Sequence, residues 1–309
     1  MKHIKLFIEE SDYNNYIYSD NAVFPNVSLI FSTDDVRFNE EQPINANVGD
    51  VAYWNGSKIK TVALADYSDS MGQAIGVVVI PSNFLPDGKA RIIALNQENK
   101  DDKFWGTYKV DTSLPNYEEV PITDNYGSST NGSYSYGYIP SDLFANGNGD
   151  NCVIDSSAKY YRNDNSNCIP SPYRETENGL ILNQDFMKTL PNGNALSDFN
   201  GKENTSVLIG LGSDYEAAIH AKNYSDGVSN AEWYLPAIGE LGVMMARLGT
   251  INNTISTLGG IFLPTNACVH SSTECDLSYA FSFSPDTGQV GGGDTKDVEK
   301  CPVRSFAQL

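Results

Sequence analysis

The sequence predicts an α+β fold: a small N-terminal segment followed by a β-rich body with two or three short helices. Three observations predict it. Leu241, Met244, Met245 and Leu248 fall at i, i+3, i+4 and i+7, one apolar face of a helix. Val77-Val78-Val79-Ile80 is a continuous apolar run, as in a strand buried on both faces. Asn55-Gly56 is a hairpin signal between runs rich in β-branched and aromatic residues. A helix followed by hairpins that close on a C-terminal strand is a compact α+β arrangement.

The 309 residues are enough for a full core and two or three modules. Apolar residues make up 40% and charged residues only 19%, while Asn, Ser, Gly and Tyr are plentiful, which fits a loop-rich surface protein better than a metabolic enzyme. The net charge is −19 and no Lys/Arg cluster occurs, so nucleic acid is not an expected partner. No apolar run approaches the ~20 residues that span a membrane. The apolar start, Ile4 to Ile8, meets Glu9-Glu10 at once and is too short for a signal-peptide core. The expectation is synthesis in a cytoplasm, without standard export and without a membrane partner.

Residues 1–46 form the first segment. Ile4-Lys5-Leu6-Phe7 is strand-like, and Ser11 or Asp12 caps a helical turn through Tyr13 and Tyr16. Val27 to Phe31 and Val36 to Phe38 are short strands around a turn at Ser32-Thr33-Asp34-Asp35. Two strands and a turn bury little alone, so this segment is expected to order against a partner or copies of itself. Leu6, Phe7, Tyr13, Tyr16 and Phe31 are its candidate attachment residues.

Residues 47–309 form the body. In its β-rich part, residues 47–110, Val48 to Trp54 leads into Asn55-Gly56, and Lys58 to Leu64 returns. Ala74 to Ile80 and Ala90 to Leu95 follow, separated by the turn Pro86-Asp87-Gly88. Residues 111–178 are a loop-rich insertion. Tyr126, Tyr134, Tyr136 and Tyr138 stand there among Gly and Ser, the composition of recognition loops, and are the candidate glycan-binding residues. The plain alternative is an inserted loop packing on neighbouring copies. In residues 179–309, Gly179 to Asn183 is strand-like. Ser213 or Asp214 caps a helix from Tyr215 to Lys222. Pro236 sits in the first turn of the Leu241 helix, and Gly249 closes it. The residues beyond show no other strong helical period.

These residues carry a resemblance. Trp233-Tyr234-Leu235-Pro236-Ala237-Ile238-Gly239-Glu240-Leu241, then a short second helix, then His270-Ser271-Ser272-Thr273-Glu274, then Val303-Arg304-Ser305-Phe306-Ala307 resemble the C-terminal domain shared by Bacteroidetes surface proteins, their phage proteins and the Legionella collagen-like adhesin. That domain is similar to the C-type lectin fold. Here Val269-His270 replaces an aromatic pair that often precedes S-S-T-E. The resemblance covers residues 179–309 and implies fold, not ligand. The succession through residues 47–110 is seen ahead of the lectin-like half in the same family, which implies that it supplies strands to a sheet completed by the C-terminal half. The first segment resembles an N-terminal segment of virion proteins of crAss-like Bacteroidales phages.

No catalytic constellation emerges. Glu240 reads as a buried acid hydrogen-bonded to nearby backbone. Ser271 to Glu274 lacks any nucleophile context and reads as a hydrogen-bonded turn. His220 has no acid or cysteine partner at metal spacing. Asp286, Asp294, Asp297 and Glu299 lie near Gly291-Gly292-Gly293 without the spacing of a calcium loop. Neither metal nor cofactor is expected. Cysteines 152, 168, 268, 275 and 301 are odd in number; local pairs, 152 with 168 and 268 with 275, compete with reduced thiols.

The expectation is a phage virion structural protein, a head fibre slightly before a tail fibre. Residues 1–46 would attach to capsid or tail proteins and assemble a homotrimer. The lectin-like body would project, with host surface polysaccharide as its candidate ligand. The alternative is a glycan-binding bacterial surface adhesin without a virion role.

Overall fold

The computed structural model describes residues 46–98, 103–115, 195–263, 267–285 and 289–309, and the backbone of short strands between 135 and 182. All of them belong to one compact unit, Gln42–Leu309. Leu6, Phe7, Tyr13, Tyr16, Phe31, Tyr126 and Tyr134 lie outside the described residues.

The architecture is α+β with antiparallel sheets. In chain order the strands are β1 (Val51–Trp54), β2 (Ile59–Val62), β3 (Gln73–Ile80), β4 (Arg91–Ala94), β5 (Lys103–Phe104) and β6 (Ser135–Tyr138). Short pairs follow: β7 (Val153–Ile154) with β8 (Tyr160–Tyr161), and β9 (Tyr173–Thr176) with β10 (Gly179–Leu182). Helices α1 (Gly201–Leu211) and α2 (Glu216–Asn223) precede β11 (Trp233–Tyr234). Helices α3 (Ile238–Ala246) and α4 (Leu248–Thr257) precede β12 (Val269–Glu274), β13 (Tyr279–Ser284), β14 (Gln289–Thr295), β15 (Lys300–Cys301) and β16 (Phe306–Gln308).

One sheet runs β11-β16-β4-β3-β1-β2 and a second runs β12-β13-β14-β6. The late strand β16 pairs with β4, Phe306 opposite Ile93, and with β11, Trp233 opposite Ala307. Residues from the two ends of the body thus share one sheet. Helix α3 touches β3 of the first sheet and β12 and β13 of the second. Its whole surface is buried, Leu241, Val243, Met244 and Met245 completely. Each such side chain contributes about 1.5–3 kcal/mol over leaving it in water.

Several local expectations need correction. The first hairpin turns on Gly56-Ser57, one residue later than the Asn55-Gly56 signal. The Asn55 N–H donates to the Lys58 carbonyl at 3.2 Å, and Gly56 takes φ +94°. Asn55 instead accepts the Ser57 and Lys58 N–H groups on its side-chain oxygen. Pro236 lies before α3, because Ala237 is extended and caps it. Gly249 lies inside α4, which starts after the single residue Arg247. Neither Ser213 nor Asp214 caps α2; Tyr215 holds that position. Helix α1 was not expected: its buried face, Gly201, Asn204, Thr205 and Leu208, is half polar and hides the helical period. Among the described residues four helices stand where two or three were expected.

Cys268 bonds to Cys301, not to Cys275 seven positions on, which is buried in the main core. The bond ties the entry of β12 to β15 across 33 positions. Cys301→Ser is expected to cost about 3 kcal/mol by releasing that loop in the unfolded chain. Denaturant unfolding with and without reductant checks this; equal midpoints for variant and oxidised wild type would contradict it.

Candidate functional site

The stretches that carry the resemblance meet in the interior. Ser271-Ser272-Thr273-Glu274 is a buried strand rather than a turn, because its hydroxyls are claimed by neighbouring elements. Thr273 Oγ1 accepts the Ile238 N–H, an open donor of the α3 N-terminus, at 2.9 Å. It donates to Asp198 Oδ2 at 2.7 Å. The Ser272 N–H donates to the Pro236 carbonyl at 2.8 Å, and Ser271 Oγ to the Phe281 carbonyl at 2.8 Å. Asp198 also accepts from Asn204 Nδ2 and the Asn200 N–H. Burial still leaves its acid weaker than usual.

Glu240 closes the other side of the same helix end. Its Oε2 accepts the Ala237 N–H at 2.9 Å, and its Oε1 accepts from the Tyr234 hydroxyl at 2.9 Å and from Arg91 Nε at 3.3 Å. Arg91 continues outward to Asp87, 2.7 Å away. Gly201 opens α1 directly against this carboxylate, where an added Cβ would collide with Glu240 Oε2 and the Ala237 nitrogen.

Burial pushes Glu240 up from 4.5 to about 7, against the pull of Arg91, the Ala237 N–H and the Tyr234 hydroxyl. Burial pushes His270 down from 6.5 to about 4. The folded state therefore holds the Glu240 proton more tightly than the unfolded chain does. That contribution is full below pH 4.5 and lost as pH rises through 7. His270 acts oppositely: its contribution is full above pH 6.5 and lost as pH falls through 4. Each amounts to about 3 kcal/mol. The slopes oppose between pH 4.5 and 6.5, so two variants are expected to diverge. Glu240→Gln destabilises progressively on acidification, and His270→Gln on alkalinisation. Urea midpoints across this range check it; parallel profiles would contradict it.

At one end of the body, three segments converge: residues 105–114, the turn before β13 and the turn after β14. The Lys109 N–H donates to the Leu277 carbonyl at 2.9 Å, and the Gly106 N–H to the Lys296 carbonyl at 3.0 Å. Lys109 and Ser113 hold φ near +60°, a conformation that side chains resist and that persists only where surroundings enforce it. The Ser113 N–H donates to Asp111 Oδ1 at 2.8 Å, and a fully buried Lys296–Glu274 pair lies beneath this stretch. Glu274 accepts from Thr112 Oγ1 at 2.7 Å, and the Lys296 ammonium lies 5.0 Å from the Trp105 ring centre. Around this anchor Tyr108, Val110, Leu277 and Val298 are exposed, Val298 by 66%. Large apolar side chains on enforced loops form a candidate contact surface.

A second candidate surface is an open groove of about 860 Å³ lined by Leu64, Tyr67, Asp69, Gln73, Asn96 and Leu258, among others. The Tyr67 hydroxyl donates to the Gly72 carbonyl at 2.9 Å and accepts the Ala74 N–H at 3.1 Å, which fixes its ring.

Of the tyrosines proposed from sequence, Tyr136 and Tyr138 lie on β6, whose backbone pairs with β14, Tyr138 opposite Gln289. Asp286 lies outside the described residues; Asp297 is exposed in the turn after β14. Among the described residues no group of His, Cys, Asp and Glu is arranged to hold a metal ion, and no helix is long and apolar enough to cross a membrane. Sequence reasoning missed Asp198, Arg91, Thr112 and Lys296. Arg91 did carry a signal: a charge inside the apolar run Ala90 to Leu95 requires a buried partner.

No protein-family model and no curated protein matches the chain. Among solved structures, a fimbrial protein from Bacteroides ovatus is similar over 85% of this chain and 49% of its own, with 15% identity and a TM-score of 0.44. The chain thus spans about half the length of that fimbrial protein.

Proposed function

We propose that this chain is a virion structural protein of a Bacteroidales phage, a fibre whose lectin-like body projects from the particle. The observation that carries the reading is where the motif side chains go. Glu240, Thr273, Ser271 and Arg304, from three separate motif stretches, are buried and bonded to main chain or to one another. They fasten elements, which fits a rigid display body with its contact chemistry in the loops. In this reading residues 1–46 attach to capsid or tail and hold copies together, a homotrimer being the expected assembly. The candidate ligand of the body is host surface glycan, met by the tyrosine segment 126–138 or by the exposed end around Tyr108.

The test is immunogold electron microscopy of purified virions, with antibody against residues 179–309. Label around the head supports a capsid fibre. Label on the tail supports the fibre reading with host recognition as its task. Unlabelled intact virions would sink the reading and leave the glycan-binding adhesin.

A further inference from the structure

We propose that Glu274 and Lys296 condense to an intramolecular amide, cross-linking the end of β12 to the turn after β14. Both side chains are fully buried, and Lys296 Nζ donates to Glu274 Oε1. Lysine and glutamate are almost never fully buried unless paired, and a buried ion pair repays its desolvation only when its remaining hydrogens and lone pairs are also satisfied. Here the satisfaction is thin. Beyond Glu274, the Lys296 ammonium has the Val110 carbonyl at 3.4 Å and the face of Trp105. Glu274 Oε2 accepts from Thr112 Oγ1. The Tyr215 hydroxyl, buried in the same apolar cluster as Trp105, has no hydrogen-bond partner among the described residues.

One acceptor and one donor are therefore what the surroundings offer the pair. That is the complement of a secondary amide, which has one N–H and one carbonyl. Amide formation places the N–H toward Val110 and the carbonyl under the Thr112 hydroxyl, and removes both charges from an apolar site.

The chemistry balances without a further reactant. Proton transfer within the pair gives a neutral amine and a carboxylic acid. The Nζ lone pair attacks Glu274 Cδ, forming the C–N bond. Oε2 takes the negative charge of the tetrahedral intermediate, where the Thr112 O–H already points, and returns to a carbonyl. Oε1 leaves as water with the carboxyl proton and one from Nζ. Fixing both groups in one buried site lowers the barrier, since well-oriented intramolecular partners reach effective concentrations of roughly 10⁵–10⁸ M, and loss of both buried charges favours the product.

The cross-link would sit inside the loop closed by Cys268–Cys301, giving the second sheet two nested closures. It is independent of the virion reading.

Mass spectrometry of the full chain, denatured and fully reduced, tests it. Wild type is expected to be lighter than its sequence by one water. Trypsin should leave a branched peptide joining Glu274 to an uncut Lys296. Glu274→Gln should lose one ammonia instead, its carboxamide nitrogen being the leaving group. Lys296→Arg should show the full sequence mass. Full mass in wild type with tryptic cleavage after Lys296 would overturn the proposal and leave an ion pair. So would a water loss that persists in Lys296→Arg. The branched peptide decides the matter in wild type even where a variant fails to fold.

Discussion

Glu240→Ala is expected to lower the unfolding free energy by about 3–5 kcal/mol. The substitution removes a carboxylate that three donors share. The Ala237 N–H loses its acceptor at a helix end, the Tyr234 hydroxyl is stranded in the core, and Arg91 keeps Asp87 and the Lys89 carbonyl on its outer side but loses its inner partner. Each buried donor without a partner costs about 1–3 kcal/mol, and Arg91 remains a cation 4% exposed. Relaxation is limited on the α1 side, where Gly201 already abuts the carboxylate. Urea unfolding followed by tryptophan fluorescence measures the loss. A change below about 1 kcal/mol would mean that water replaces the carboxylate and that this centre does not hold the helix end.

Arg304→Ala is expected to cost a similar 3–5 kcal/mol, for a different reason. The Arg304 guanidinium donates to the carbonyls of Gln97 at 2.5 Å, Ala94 at 2.7 Å and Ile261 at 2.8 Å. These carbonyls end β4, continue beyond it and follow α4, so one side chain pins three places where regular pairing stops. Burial without a contacting carboxylate among the described residues pulls the group down to about 10, yet it stays charged at neutral pH. Arg304→Lys should recover less than half of the loss, because a single ammonium cannot fork across three acceptors. Hydrogen exchange should report the change first near Ile261, whose N–H donates to the Leu95 carbonyl. Unchanged protection there would refute the pinning role.

The regular part of this fold was legible because it follows apolar patterning. The run Val77 to Ile80 became the second half of β3, which is buried from Ile75 onward, and Leu241, Met244 and Met245 lie on α3, although that helix is buried on every side and Leu248 begins α4 instead. What patterning hides is polar burial. Asn204 and Thr205 look like a solvent-facing stretch, yet they form the inner face of α1 because Asp198 and the Leu235 carbonyl receive them. Ser271 to Glu274 reads as a turn for the same reason. Glu240 was found through its motif, and its bond to nearby backbone follows from the rule that buried acids need donors. Lys296 gave no local signal at all: its partners lie 22 and 186 positions away. The Cys268–Cys301 bond is equally non-local, and proximity in sequence pointed to the wrong cysteine.

The pairing of β16 with both β4 and β11 has a consequence for biosynthesis. Strand β4 leaves the ribosome long before Phe306 does, and its open edge has no mate until then. Strand β11 is also made before β16, so both wait for residues 306–308 to complete the first sheet. Closing this sheet is dominated by distant contacts, which makes folding slow, and the waiting edge is where a nascent chain would stick to another.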